Sequence, residues 1–186
     1  MQPQLTHVGI YTPRLEAMEA FYTSVFGLVV TDRGNLARLG GVEVVFLSGD
    51  IDSHHQLVLI GMPPDRPVGL PTVQQLSFKV KELAEMRALE QAVLQVPGAA
   101  VNPVDHGNAW SLYTSDPDGN GVEIYMDTEW YVAQPHARPL DLSASDAEIR
   151  HVTEQAVLAD PTHTTRAAWQ ASLAAKLADS GKRSAG

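Results

Sequence analysis

Residues 109–126, AWSLYTSDPDGNGVEIYM, decide the fold. Residues 109–114 and 122–126 read as strands, with Ser111 and Tyr113 alternating onto one face of the first. Between them Asp116-Pro117-Asp118-Gly119-Asn120 is a turn, with proline at its second position and Gly-Asn near its end. This strand–turn–strand unit ends a longer pattern. Upstream, VQQLSFKV at 73–80 is another strand, and Leu83, Met86, Leu89 and Val93 recur at helical spacing before Pro97-Gly98 stops them.

The same order occurs in the N-terminal half. LTHVGIYT at 5–12 alternates like a strand and is closed by Pro13. Leu15, Met18, Phe21, Tyr22, Val25 and Phe26 follow at helical spacing, with Gly27 where a C-cap glycine belongs. Strand-like runs then occupy 28–31, 35–39, 42–47 and 56–60, with Asp32-Arg33-Gly34 and Gly40-Gly41 read as turns. Four prolines make the loop at 61–71 extended or irregular. His7 and Gln75 hold matching places in the first strands, 68 residues apart, and Gln56 and Glu123 in the last strands, 67 apart. A repeat of this kind lets two units bury sheet faces that neither could bury alone. The expected fold is α+β. Modules 5–60 and 73–127 are paired βαβββ units in one domain (1–127), forming a curved mixed sheet around a cleft, and 128–186 add an arm and C-terminal helices.

In that extension, 129–142 reads as an extended arm with Trp130 and Tyr131. Ser145 and Glu148 form a capping box for a helix, and Asp160-Pro161 interrupts it. Trp169, Leu173 and Leu177 stripe a second helix, and 180–186 are expected to fray. The unpaired stripe favours a homodimer.

Composition narrows the function. At 44% apolar residues the chain is globular, and no apolar run approaches the ~20 residues needed to span a bilayer. The start, Met-Gln-Pro-Gln, lacks the features of a secretion signal, so the expected location is the cytoplasm. A net charge of −9 argues against nucleic acid as a partner. With no cysteine, a metal must be held by histidine, carboxylate or amide oxygen, which directs attention to the seven histidines.

The paired units, FYTSVFGL at 21–28 and DPDGNGVEIY at 116–125 resemble the vicinal oxygen chelate superfamily, which includes glyoxalase I, bleomycin- and fosfomycin-resistance proteins and type I extradiol dioxygenases. The resemblance covers 5–127 and is nearest to the extradiol dioxygenases, which open catechol rings with O2 at an Fe(II) held by two His and one Glu. It implies Fe(II), or Mn(II) or another divalent metal, on His7, Gln75 and Glu123, with Gln75 where the family usually has histidine. His54-His55 stand where the dioxygenases carry a His-His pair. The resemblance gives His55 the acid–base role and His54 a place beside the substrate. His106 and Tyr113 would act on a catechol hydroxyl, and Asn108 would orient the histidine. The substrate class implied is a small catechol-like aromatic with O2, in aromatic compound catabolism. Two alternatives share the fold: a glyoxalase-like lyase or isomerase that uses the metal as a Lewis acid, in which Gln56 becomes a fourth ligand, and a metal-free binder of aromatic ligands resembling the bleomycin-resistance proteins. From residue type and position alone, His136, His151 and His163 are surface residues of the tail.

Overall fold

The computed structural model describes residues 5–62 and 74–183. Residues 63–73, which hold most of the proline-rich loop and the expected start of the second module, lie outside the described residues, as do 184–186.

The first module consists of β1 (Val8–Thr12), α1 (Leu15–Phe26), β2 (Val29–Leu36), β3 (Val42–Ser48) and β4 (Leu57–Gly61). Its sheet runs β1-β4-β3-β2, with β1 parallel to β4 and the other pairs antiparallel. The second consists of β5 (Gln75–Lys79), α2 (Leu83–Leu94), β6 (Asn102–Asp105), β7 (Ala109–Ser115) and β8 (Gly121–Asp127), in the order β6-β7-β8-β5 with β5 parallel to β8. The parallel outer pair closed by a crossover helix recurs in both. This is the α+β architecture of paired βαβββ modules that the sequence predicts.

Alternation explains the layers. In the first sheet Ile10, Val45, Leu47, Leu57 and Leu59 face the helices and are buried. Met18, Phe21, Tyr22 and Val25 of α1 meet them along one stripe at i, i+3, i+4 and i+7. Each such side chain stabilises the fold by roughly 1.5–3 kcal/mol when fully buried. The second sheet turns Leu112, Val122 and Ile124 inward in the same way. The modules share this core: Leu76, Phe78, Val93 and Val122 join the cluster built on α1, and the rings of Phe26 and Phe78 stack at 4.1 Å between centroids. The opposite sheet faces carry the candidate site residues.

Several boundaries differ from expectation. Asp32-Arg33-Gly34 is no turn: β2 runs through it with an irregularity in its register between Val30 and Asp32. Arg33 bridges to Glu43 on β3 and Glu19 on α1, so cross-strand charge pairing overrides local turn chemistry. Ala37–Leu39 form a short 3-10 turn. β6 was not legible, because Asn102-Pro103 reads as loop.

The extension folds onto the second module. Its arm contributes β9 (Trp130–Tyr131) and β10 (Arg138–Pro139), the latter pairing with β6. Then come α3 (Asp146–Ala159), β11 (Thr164–Thr165) and α4 (Arg166–Arg183). Ser145 caps α3 as expected, its hydroxyl accepting from Glu148 N. Leu142 and Ile149 pack with Trp110, whose indole donates to Thr153 Oγ1 at 2.8 Å. Trp169 of α4 stacks on Tyr131 at 5.4 Å, Leu173 is exposed, and the side chain of Leu177 lies outside the described residues. Helix α4 continues to Arg183 rather than fraying from 180. No helix among the described residues is long and apolar enough to cross a membrane.

Candidate functional site

The core-averse faces of β5, β7 and β8 carry Gln75 and Ser77, Ser111 and Tyr113, and Glu123 and Tyr125. Strand pairing sets their spacing. Tyr113 lies opposite Glu123 across the β7–β8 pair, and Ser77 lies opposite Glu123 across the β5–β8 pair. Four protein donors therefore converge on one half-buried carboxylate. Glu123 Oε1 accepts from Tyr113 Oη and Ser111 Oγ, both at 2.8 Å. Glu123 Oε2 accepts from Ser77 Oγ at 2.6 Å and Gln75 Nε2 at 3.0 Å. A carboxylate has lone pairs enough to accept all four, so the cluster fixes its rotamer.

The hydrogen-bonded chain continues from Tyr113. His106 Nε2 lies 2.9 Å from Tyr113 Oη, and His106 Nδ1 lies 2.6 Å from the backbone carbonyl of His136. Burial, and then the bond to Glu123 and its charge, push the Tyr113 phenol up to about 12, with Ser111 pulling weakly the other way. Tyr113 therefore keeps its proton at ordinary pH and acts as a donor. Asn108 sits on the same β6–β7 turn, where its Oδ1 accepts from Gln134 Nε2 at 3.2 Å. These groups line an open cavity of about 460 Å³, with His106, Asn108, Tyr113, Glu123, Tyr125 and Gln134 on its walls.

The remaining expected residues gather on the first sheet. His7 falls one residue before β1, and its ring lies 4.5 Å from that of His55. His55 also packs edge-on against Phe46 at 5.1 Å, and its Nδ1 lies 2.9 Å from that of His54. Desolvation first, then the neighbouring His7 and His54, lower the His55 pKa, which favours the neutral imidazole. Gln56 is committed to the loop before it, accepting from Gly49 N at 3.0 Å. Its sequence match to Glu123 holds for the face but not the register, since Val8 opposes Leu57 whereas Gln75 opposes Gly121.

The structure thus brings Gln75, Glu123, Tyr113, His106 and Asn108 into one site, and His7, His54 and His55 into a second cluster. Among the described residues no three His, Asp or Glu side chains form a metal-binding group. The donor set still suits a divalent cation. Gln75 bonds through its amide nitrogen, leaving Oε1 without a partner among the described residues, and His7 Nδ1 meets Thr6 Oγ1 at 3.1 Å, leaving Nε2 likewise. With the carboxylate these are one nitrogen and hard oxygen donors.

Sequence reasoning missed Ser77 and Ser111, although each stands two residues from a residue it did single out and so on the same face. It also read His136 as a surface residue. His136 is half-buried, and its carbonyl holds His106, whereas His151 and His163 are exposed as expected.

The profile of the Glyoxalase/Bleomycin resistance protein/Dioxygenase superfamily matches residues 4–124, and the chain belongs to that family. Biphenyl-2,3-diol 1,2-dioxygenases 2 and 3 of Rhodococcus globerulus are 29% and 31% identical to it, each over 67% of this chain. Those alignments span 63% and 64% of the relatives' lengths, just under two thirds. A glyoxylase/bleomycin resistance protein/dioxygenase domain from Frankia sp. EAN1pec superposes with a TM-score of 0.58 at 20% identity, covering 69% of this chain and 95% of that domain, a likeness of fold.

Proposed function

We propose that this chain is an extradiol-type dioxygenase that opens a catechol-like aromatic ring with O2. The observation that carries the reading is the chain His106–Tyr113–Glu123: a histidine and a protonated phenol held in series against a fixed carboxylate, on the wall of an open cavity. A divalent metal on His7, Gln75 and Glu123, Fe(II) in the first place and Mn(II) in the second, would supply the Lewis-acid centre where catechol and O2 meet. The chain's own residues supply the rest. Tyr113 offers its hydroxyl to a substrate oxygen, and His106 takes a proton from it. Asn108 holds the turn that carries His106. His55, neutral for the reasons given, is the acid–base group of the other sheet, with His54 beside it. Similarity to the two Rhodococcus enzymes supports the substrate class.

The test is to load the protein with Fe(II) without oxygen, add 2,3-dihydroxybiphenyl and other catechols, and admit air. Stoichiometric O2 uptake with a yellow ring-opened product is expected. A metal-loaded protein that consumes no O2 with any catechol overturns the reading. One observation favours a second one: Gln75 is a neutral amide where a dioxygenase has imidazole, and glyoxalase I pairs Gln with His and Glu. A lyase or isomerase of that kind would turn over a hemithioacetal with no O2 uptake.

A further inference from the structure

The arm that follows the repeat lies beyond residues 4–124, yet it supplies the atoms that decide how His106 carries its proton. A backbone carbonyl can only accept, so the 2.6 Å contact with the His136 carbonyl places a hydrogen on His106 Nδ1. In the neutral ring Nε2 is then bare and faces Tyr113 Oη at 2.9 Å. Tyr113 has one hydroxyl hydrogen, and at 2.8 Å it points that hydrogen at Glu123 Oε1 as a hydrogen-bond donor. Three groups in a row thus hold one proton fewer than their contacts can use. The open place is Nε2 of His106.

The arm is built to keep the carbonyl there. Gln134 Nε2 donates to the His106 carbonyl at 2.9 Å and to Asn108 Oδ1 at 3.2 Å, while Gln134 Oε1 accepts from His136 N at 3.0 Å. One side chain therefore ties the loop of His106 to the residue whose carbonyl opposes its ring. Val132 is fully buried against Gly107, where an added Cβ would come within 2.7 Å of it. Farther along, Ala133 N donates to Thr162 Oγ1 at 2.9 Å, and the His136 ring stands 3.8 Å from Asp160.

We propose that the arm is a working part of the site, and that Gln134 is its positioning residue. Through Gln134 and the His136 carbonyl, the arm fixes neutral His106 as the Nδ1–H tautomer, so that Nε2 is presented to Tyr113 as the acceptor of the next proton. Free histidine prefers the opposite tautomer, in which Nε2 carries the hydrogen and could only donate to Tyr113. Without the arm the site would keep its residues and lose the direction of proton flow.

The inference concerns the site of the proposed function, but it is read from a nitrogen shift in metal-free protein, so either can fail without the other. The full chain is labelled with 15N-histidine, and both ring nitrogens of His106 are assigned by their loss in His106→Asn. At alkaline pH, where histidine is neutral, the wild type is expected to show a protonated Nδ1 and a bare Nε2. Gln134→Ala is expected to lose that bias and move the pair towards the shifts of free histidine. A neutral wild-type ring protonated on Nε2 overturns the proposal, as does a folded Gln134→Ala chain with the wild-type shifts. If Gln134→Ala does not fold, the wild-type spectrum decides: protonated Nδ1 supports the assignment and protonated Nε2 refutes it.

Discussion

The Tyr22 hydroxyl donates to Asp116 Oδ2 at 2.9 Å, joining the helix of the first module to the β7–β8 turn of the second. Both groups are buried, and Asp116 is otherwise satisfied within its own turn by the backbone N–H groups of Asp118 and Asn120 and by the Asn120 amide. The two segments that carry the family resemblance thus meet in one bond. Tyr22→Phe removes a donor from a buried carboxylate and leaves the turn intact, which should cost about 1–3 kcal/mol. Asp116→Ala strands the phenol and the turn's N–H groups together and should cost more. Urea unfolding of the two variants checks the order; equal losses would show that the link between modules, and not the turn, carries the energy.

The Tyr22 phenol of this pair, with that of Tyr113, should lower stability at alkaline pH. Burial first, and then the Asp116 carboxylate, push the Tyr22 phenol well above the ordinary tyrosine value, and Tyr113 is pushed up to about 12. Unfolded tyrosines release their protons near pH ~10, whereas the folded chain retains these two. The unfolded state then binds fewer protons, so stability falls as pH rises from about 10. Tyr22→Phe and Tyr113→Phe should each make that fall shallower. Denaturant midpoints measured from pH 8 to 11 test this, and an unchanged slope in both variants would remove tyrosine ionisation as the cause.

Ser77 governs the carboxylate expected to hold a metal. It makes the shortest bond to Glu123, 2.6 Å to Oε2, and faces it across the strand pair. Partners that orient a ligand in this way typically contribute 10–100-fold in metal affinity. Ser77→Ala should weaken Mn(II) or Fe(II) binding by about that factor with little loss of stability, and Gln75→His should strengthen binding by adding an imidazole donor. Calorimetric titration of the metal gives both numbers. Affinity unchanged in both variants would place the metal elsewhere.

Alternation and turn chemistry made most of this fold legible. Each strand of the repeat buries one face, so Leu112, Val122 and Ile124 announce themselves, and the residues between them are those of the site. Reading failed where long-range pairing decides. Arg33 carries β2 through a sequence that looks like a turn, and β6 gains its place from β7 and β10 rather than from Asn102-Pro103. Within the candidate site, Glu123 and Tyr113 were legible because strand position and residue type agree, and His106 because of the family resemblance. Gln134 and His136 were not: they act across about 30 residues of sequence, from an arm whose prolines erase any period.

Gly121 links strand geometry to site geometry, and its replacement separates the two. It pairs with Gln75 in the parallel β5–β8 ladder, and a Cβ there would stand 2.4 Å from the Gln74 carbonyl oxygen. Backbone, unlike a flexible side chain, cannot swing aside, so Gly121→Ala must push β5 away from β8. Overpacking of this kind costs about 1–3 kcal/mol or more. Because β5 carries Gln75 and Ser77, the same shift should pull two of the four donors off Glu123 and weaken metal binding beyond what instability explains. Gly34 in β2 is the control, since nothing lies within 4 Å of its added Cβ. Gly34→Ala should be neutral or stabilising by about 0.4–1 kcal/mol through the unfolded chain. Urea unfolding with metal titration on both variants reads the difference. A Gly121→Ala protein with wild-type stability and affinity would mean that β5 has slack, and that Ser77 and Gln75 are not held to Glu123 by the ladder.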